Sequence, residues 1–115
     1  MGADSGIHIQ TDMSTDQELQ PLAVAKVLKH LMETQNFDIA LLGKQSIDDD
    51  YVQTGQLLAS MMNIPCGTFA SEILMSADGA KVMREVDFGL QQVQIQTPAV
   101  FTVDLRLNTP RFANV

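Results

Sequence analysis

Apolar residues recur at helical spacing from position 21 onward. They are Leu22, Val24, Ala25, Val27, Leu28, Leu31 and Met32. Pro21 stands just before this run, where proline is tolerated in the first turn of a helix. The spacing predicts an amphipathic helix of about 13–15 residues that ends at Asn36 and packs its apolar face on another element.

The next elements follow the alternation of strand and helix that is typical of α/β proteins. Phe37–Gly43 is a short, nearly continuous apolar run ending at glycine, which indicates a buried parallel strand. Gly55–Asn63 predicts a second helix. Its inner side would carry Leu57, Leu58, Met61 and Met62. Upstream, Ile7 and Ile9 alternate with polar residues over Gly6–Gln10, a weak strand signal.

The second half of the chain is rich in predicted strands. Thr68–Ser76 and Ala80–Asp87 flank Ala77-Asp78-Gly79, and Asp-Gly between two such runs predicts a β-hairpin. Leu90–Gln96 alternates, with Leu90, Val93 and Ile95 set against three glutamines. Pro98 then ends that strand, and Ala99–Leu105 predicts another. We expect this half to be partly antiparallel and partly exposed to solvent.

Composition and charge narrow the class of protein. The chain has 115 residues, of which 45% are hydrophobic, and a formal net charge of −7, which suits one globular domain. Lys26, Lys29 and His30 form the best basic cluster and read as a solvated helix face, so we expect no nucleic-acid binding. No apolar run approaches the roughly 18 residues that span a bilayer, so we expect no membrane insertion.

The number of cysteines argues against an internal disulfide and against a thiolate metal site. Cys66 is the single cysteine, so no internal disulfide or thiolate metal cluster can form. Its apolar surroundings predict a small packed side chain.

The N-terminus has neither a basic region nor an apolar run of the kind found in signal peptides. These features indicate a soluble protein in a reducing or matrix-like compartment.

The segment Leu41–Thr54 carries the candidate chemistry. It joins the carboxyl end of the predicted strand to the amino end of the second helix, where α/β sheets bind ligands. Helix N–H groups can hold a phosphate there, and Gly43 permits close approach of the backbone. Asp48-Asp49-Asp50 would repel a phosphate unless the carboxylates cap the helix, bind a ribose hydroxyl or hold Mg²⁺. A nucleotide site, a polar loop and a metal site all remain open from the residues alone.

The same segment resembles a motif of electron transfer flavoprotein beta subunits. Residues 43–56 read GKQ-x-IDDD-x-x-QTGQ, as in that family. The likeness continues at 67–71, 84–87, 98–100 and 104–111, and 1–8 is similar to a mid-chain stretch of the family. The resemblance therefore covers essentially all of the chain.

This resemblance implies an α/β fold of the adenine nucleotide alpha hydrolase type. We expect a Rossmann-like parallel sheet with helices and an antiparallel β-hairpin extension, with an α/β nucleotide-binding part at 1–66 and a β-rich part at 67–115. Beta subunits of this family bind AMP as a structural ligand. The residues that match its site are Gly43, Lys44, Gln45, Ser46, Ile47, Asp48, Asp49, Asp50, Tyr51, Val52, Gln53 and Thr54.

The resemblance also implies a role and partners. The family's heterodimer carries electrons from acyl-CoA dehydrogenases and other flavoprotein dehydrogenases to a quinone oxidoreductase, and the alpha subunit makes most of the FAD contacts. The chain would thus be an electron carrier rather than an enzyme, in the mitochondrial matrix or, alternatively, the bacterial cytoplasm. An enzyme of the same fold lacks an evident nucleophile–base pair, because no histidine lies near Ser46. A truncated, non-redox nucleotide-binding or interaction protein is the other alternative.

Departures from the family bear on these expectations. Family chains extend further at both ends, so we expect an incomplete fold with an apolar sheet edge left open. Phe88 stands where the family has a small or acidic residue, which predicts a different turn there.

Overall fold

The computed structural model describes residues 2–12, 20–43 and 53–112, and these ranges contain two helices and five strands. The elements are α1 (Pro21–Gln35), β1 (Ile39–Gly43), α2 (Thr54–Met62), β2 (Cys66–Ser76), β3 (Gly79–Val86), β4 (Gly89–Ile95) and β5 (Ala99–Val103). The predicted α/β class is confirmed, and so is the predicted order of helices and strands from Pro21 onward.

The five strands form one mixed sheet in the order β1-β5-β2-β3-β4. β5 pairs in parallel with β1 on one side and with β2 on the other, whereas β2, β3 and β4 form an antiparallel meander. The sheet therefore combines a parallel part with an antiparallel extension, as expected. The last strand of the chain returns to lie between the first two strands.

β5 is buried on both faces and contributes to two hydrophobic clusters. Val100 belongs to a cluster with Ala25 of α1 and Leu58 and Ala59 of α2. Ala99 and Phe101 point to the opposite face because side chains alternate along a strand. They pack there in a second cluster whose other buried members are Ala70, Ala80, Val82 and Ile95. The helices thus cover one face of the parallel strands, and the meander supplies the core on the other.

The ends of α1 follow the sequence signals, but its buried stripe is narrower than predicted. Pro21 occupies the first turn, and Asn36 closes the helix in the left-handed conformation, with its N–H bonded to Met32 O. Ala25 and Met32 are buried, whereas Leu22 and Val27 are exposed. α1 packs chiefly on the single helix α2, and one neighbouring helix covers only one stripe.

Both turns of the meander are tight. Ala77 and Asp78 connect β2 to β3, and Gly79 has a φ of 119°, which glycine adopts without strain. The second turn is a two-residue loop of Asp87 and Phe88, in which the positive φ falls on Gly89 and the Phe88 side chain is fully exposed.

The face predicted for Leu90 is wrong. Leu90 pairs with Glu85, and it lies on the outer face with Gln92 and Gln94, while Val93 and Ile95 face the core. Leu90 is an even number of residues from the outward glutamines, so the alternation itself places it outside.

The strand predicted at Gly6–Gln10 is absent: these residues are described but form no strand. Ile7 and Ile9 are both exposed. Two alternating apolar residues bury too little surface to fix a strand without a paired neighbour.

β1 forms one edge of the sheet within the described part of the chain. Leu41 on this strand is 62% exposed, and an apolar groove of about 190 Å³ runs beside it, with Leu28, Met32 and Phe37 in its lining. None of the five residues of β1 is buried, so the prediction of a buried strand here is wrong, because this strand has a neighbour on one side only in the described part of the chain. The expected open apolar edge is present among these residues.

Cys66 opens β2 and is half-buried beside the helix-side cluster. Burial raises the pKa of the Cys66 thiol, and the positive charge of Arg84 offsets this only in part. A raised pKa keeps the side chain in its neutral, weakly nucleophilic form at neutral pH.

Phe101→Ala tests the role of the core beneath β5. Phe101 is fully buried, so its truncation should lower the free energy of unfolding by about 3–5 kcal/mol. Phe88→Ala is the matched control, because the Phe88 side chain is fully exposed and its loss should change little. Urea denaturation measures both values. Equal effects of the two substitutions would show that the core has been assigned wrongly.

The raised pKa of Cys66 predicts slow alkylation of the folded chain. At pH 7.5 iodoacetamide should react more slowly with the native protein than with the same chain in concentrated urea. The midpoint of the native pH–rate profile should also lie above the ordinary cysteine value, because burial disfavours the thiolate. A native rate equal to or above the unfolded rate would contradict this assignment.

Candidate functional site

The carboxyl ends of two parallel strands, β1 and β5, meet at one edge of the sheet, and the middle of β2 borders them. Gly43 at the end of β1 is paired with Val103 of β5, and Val103 is paired on its other side with Ala70 of β2. The ends of adjacent parallel strands form the usual ligand-binding edge of an α/β sheet.

The first turn of α2 lies on this edge. Gly55 is buried, and a Cβ placed on it would stand 2.3 Å from Thr102 Cγ2, so the helix backbone rests directly on β5. Gln53 is the N-cap residue; its carbonyl accepts a hydrogen bond from Leu57 N–H at 2.9 Å, and its side chain makes no capping bond. The first N–H groups of a helix have no partner within the helix and carry a partial positive charge. This turn therefore offers amide donors beside the strand ends.

A bulge in β2 borders the same edge. The pairing with β5 shifts register between Gly67 and Ala70, and Phe69 has a φ of 55°, which is rare for a bulky residue. Phe69 N–H donates to Thr102 Oγ1 at 3.0 Å, and Asp104 N–H donates to Ala70 O at 2.8 Å. These bonds reattach β2 to β5 beyond the bulge.

Arg84 secures the bulge from the other side. Its Nε donates to Thr68 O at 2.8 Å and its Nη2 to Thr68 Oγ1 at 2.7 Å, while Nη1 donates to Gln91 Oε1 at 2.9 Å. One half-buried guanidinium thus ties β2, β3 and β4 together, and its fixed planar donors suit this role.

A second arginine closes the end of β5. Arg106 donates through its backbone N–H and its Nε to Asp104 Oδ1, and it also forms an ion pair with Glu85 of β3. The hydrogen bond and charge of Asp104, and then the charge of Glu85, raise the pKa of the Arg106 guanidinium. The buried Asp104 carboxylate therefore has a cationic partner at the sheet edge.

Three of the predicted nucleotide-binding residues lie within the described ranges. Gly43 is exposed at the end of β1, Gln53 is exposed at the N-cap of α2, and Thr54 is half-buried in its first turn. The other nine, Lys44, Gln45, Ser46, Ile47, Asp48, Asp49, Asp50, Tyr51 and Val52, lie outside the described residues. The two ends of the predicted segment therefore flank the carboxyl edge of the sheet.

Thr102 and Phe69 are the residues at this edge that sequence reasoning missed. Thr102 reads as one more small residue in an apolar strand, and nothing in the local sequence marks Phe69 for a left-handed backbone, a conformation usually adopted by glycine or asparagine. Their roles depend on residues 33 positions apart meeting across β2 and β5.

The described donors at this edge could hold a phosphate group. Backbone N–H groups and the Thr54 hydroxyl can donate hydrogen bonds to phosphate oxygens. Within residues 2–12, 20–43 and 53–112, no three His, Cys, Asp or Glu side chains are grouped closely enough to hold a metal. Neither α1 nor α2 has the length and apolar character needed to cross a membrane.

Comparison with known proteins places the chain in one family. The model of the electron transfer flavoprotein domain family matches residues 1–115. The chain is 50% identical over its whole length to the human electron transfer flavoprotein subunit beta, of which it covers 45%. It is 49% identical to a rice (Oryza sativa subsp. indica) protein named electron transfer flavoprotein subunit beta, mitochondrial, of which it covers 46%. It is 48% identical to the Dictyostelium discoideum subunit beta, of which it covers 44%.

The chain thus spans a little under half the length of these curated relatives. The family model, by contrast, matches every residue of the chain, and the α/β fold is compatible with it. The chain belongs to the electron transfer flavoprotein domain family.

Proposed function

We propose that this chain is the nucleotide-binding part of an electron transfer flavoprotein beta subunit and that it holds AMP as a structural ligand. The observation that carries this proposal is the position of the first turn of α2 directly on β5, whose carboxyl end is paired with that of β1. The first amides of a helix have no partner within it and can donate to a ligand. The phosphate would accept hydrogen bonds from this turn, and residues 44–52 would complete the site.

The charges of the described residues favour an anion at this position. The amino end of α2 carries the partial positive charge of the helix, and no acidic residue is present in its first turn. The buried carboxylate nearest the end of β5, Asp104, is paired with Arg106. A phosphate at the first turn would therefore meet donors rather than an unpaired carboxylate among the described residues.

The proposed role is that of an electron carrier subunit rather than an enzyme. The relatives are named as beta subunits, which supports an alpha subunit as the partner. In our proposal the alpha subunit makes most of the contacts to FAD. Acyl-CoA dehydrogenases and other flavoprotein dehydrogenases donate electrons to the complex, and a quinone oxidoreductase accepts them. The rice relative is named mitochondrial, which supports a mitochondrial location, and we propose the matrix.

Gln53→Glu should weaken AMP binding by roughly tenfold, because the new carboxylate would stand beside the proposed phosphate. An acidic residue at the amino end of a helix favours the helix itself, so lost binding could not be ascribed to lost structure. Isothermal titration calorimetry of the purified chain with AMP measures the affinity. Added salt should reduce the difference in affinity between the unaltered chain and the variant, because it screens the charge repulsion.

Two controls sharpen this test. Gln92→Glu makes the same charge change on the exposed outer face of the meander and should leave AMP affinity unchanged. Adenosine, which lacks the phosphate, should bind more weakly than AMP and be insensitive to Gln53→Glu. Equal binding of AMP and adenosine to the unaltered chain would contradict a phosphate site at α2.

The subunit role is tested by co-expression with an electron transfer flavoprotein alpha subunit. We expect a yellow complex that retains flavin through gel filtration, whereas the chain alone should bind no FAD because most FAD contacts are proposed to lie in the partner. Failure to form a complex would contradict the proposed partnership, as would tight FAD binding by the chain alone.

A further inference from the structure

Thr102 contacts both elements that border the proposed phosphate position. It is 3% exposed, and its methyl group lies against the backbone of Gly55 in the first turn of α2. Its hydroxyl oxygen accepts the hydrogen bond from Phe69 N–H in the bulge of β2. A single buried side chain thus joins the helix turn to the bulge.

The two contacts are coupled through the χ1 angle of Thr102. Threonine has a methyl and a hydroxyl on the same carbon, so fixing the position of one fixes the other. The bond from Phe69 N–H holds the hydroxyl in place, and this places the methyl group under Gly55. The bulge in β2 therefore sets, through Thr102, the distance between the first turn of α2 and the sheet.

Amide donors bind a phosphate well only when the turn that carries them is held in one position. We propose that Thr102 is a positioning residue for the nucleotide, which sets the first turn of α2 without touching the ligand. This inference rests on the proposed AMP site and adds to it a residue some fifty positions beyond the motif. It also gives a reason for Gly55, since a side chain there would collide with the methyl of Thr102.

A double-mutant cycle tests this coupling. Gly55→Ala should weaken AMP binding about tenfold, comparable to the loss of one good hydrogen bond, because the new Cβ would stand 2.3 Å from Thr102 Cγ2 and lift the turn. Thr102→Ser removes that methyl but keeps the hydroxyl, and it should weaken binding by a smaller factor.

The double variant Thr102→Ser/Gly55→Ala should recover most of the affinity. With the methyl gone, the nearest remaining atoms to the new Cβ would be Thr102 Cβ and Val100 Cγ1, both at 3.8 Å, an ordinary contact distance. Recovery to within about threefold of the unaltered chain is expected, and such non-additivity is the sign of direct coupling.

A stability control separates positioning from general destabilisation. Val82→Ala removes a fully buried side chain from the meander-side cluster, away from α2, and should lower thermal stability while leaving AMP affinity unchanged. Thr102→Val keeps the shape of the side chain but loses the acceptor for Phe69 N–H, so it should weaken AMP binding about tenfold. This variant tests the positioning role of Thr102 even if Gly55→Ala fails to fold. All affinities are measured at a temperature below the thermal unfolding transition of every variant.

The outcomes distinguish the two proposals. If the unaltered chain binds no AMP, both are overturned. A different result overturns only the positioning role. In that case the unaltered chain binds AMP and responds to Gln53→Glu as expected, but Thr102→Val leaves the affinity unchanged and the effects of Gly55→Ala and Thr102→Ser on the binding free energy simply add.

Discussion

Burial of β5 on both faces is the constraint on which the rest of the structure depends. Four of its five residues are buried, and the fifth, Val103, is half-buried. One face packs against the helices through Val100, and the other packs against the meander through Ala99 and Phe101. Parallel strands covered on both faces are typically continuous apolar runs, and β5 is one.

The candidate site follows from this central strand. β5 lies between β1 and β2, so its carboxyl end meets the end of β1 on one side and the bulged part of β2 on the other. Thr102, the last buried residue of β5, then supports α2 on one side and the β2 bulge on the other. The same strand that joins the two hydrophobic clusters therefore also sets the geometry of the edge at which a ligand would bind.

The local patterns of the sequence were sufficient for most elements and for the outline of the site. Helical spacing, Pro21 and Asn36 located α1, and the Ala77-Asp78-Gly79 turn located the first hairpin of the meander. The apolar run ending at Gly43 correctly predicted a parallel strand, and the pattern after it correctly predicted the helix α2. Each of these signals acts over a few residues, and so it can be read from the sequence alone.

What could not be predicted depends on contacts between distant residues. Nothing local to Ala99–Val103 indicates that this strand inserts between β1 and β2. The left-handed Phe69 is held by Thr102, 33 positions away, and is not marked by a glycine or an asparagine. The strand predicted at Gly6–Gln10 failed for the same reason, since its weak alternation says nothing of a partner strand. The roles of residues 44–52 follow from family resemblance and remain predictions.

The central claim is that the main-chain amides at the start of α2 bind the phosphate of an adenine nucleotide. A crystal structure of the chain soaked with AMP tests it most directly. The account predicts phosphate oxygens within hydrogen-bonding distance of the amide nitrogens of Thr54, Gly55 or Gln56, above the carboxyl ends of β1 and β5. A nucleotide bound elsewhere on the protein, or a phosphate held only by side chains away from this turn, would contradict it.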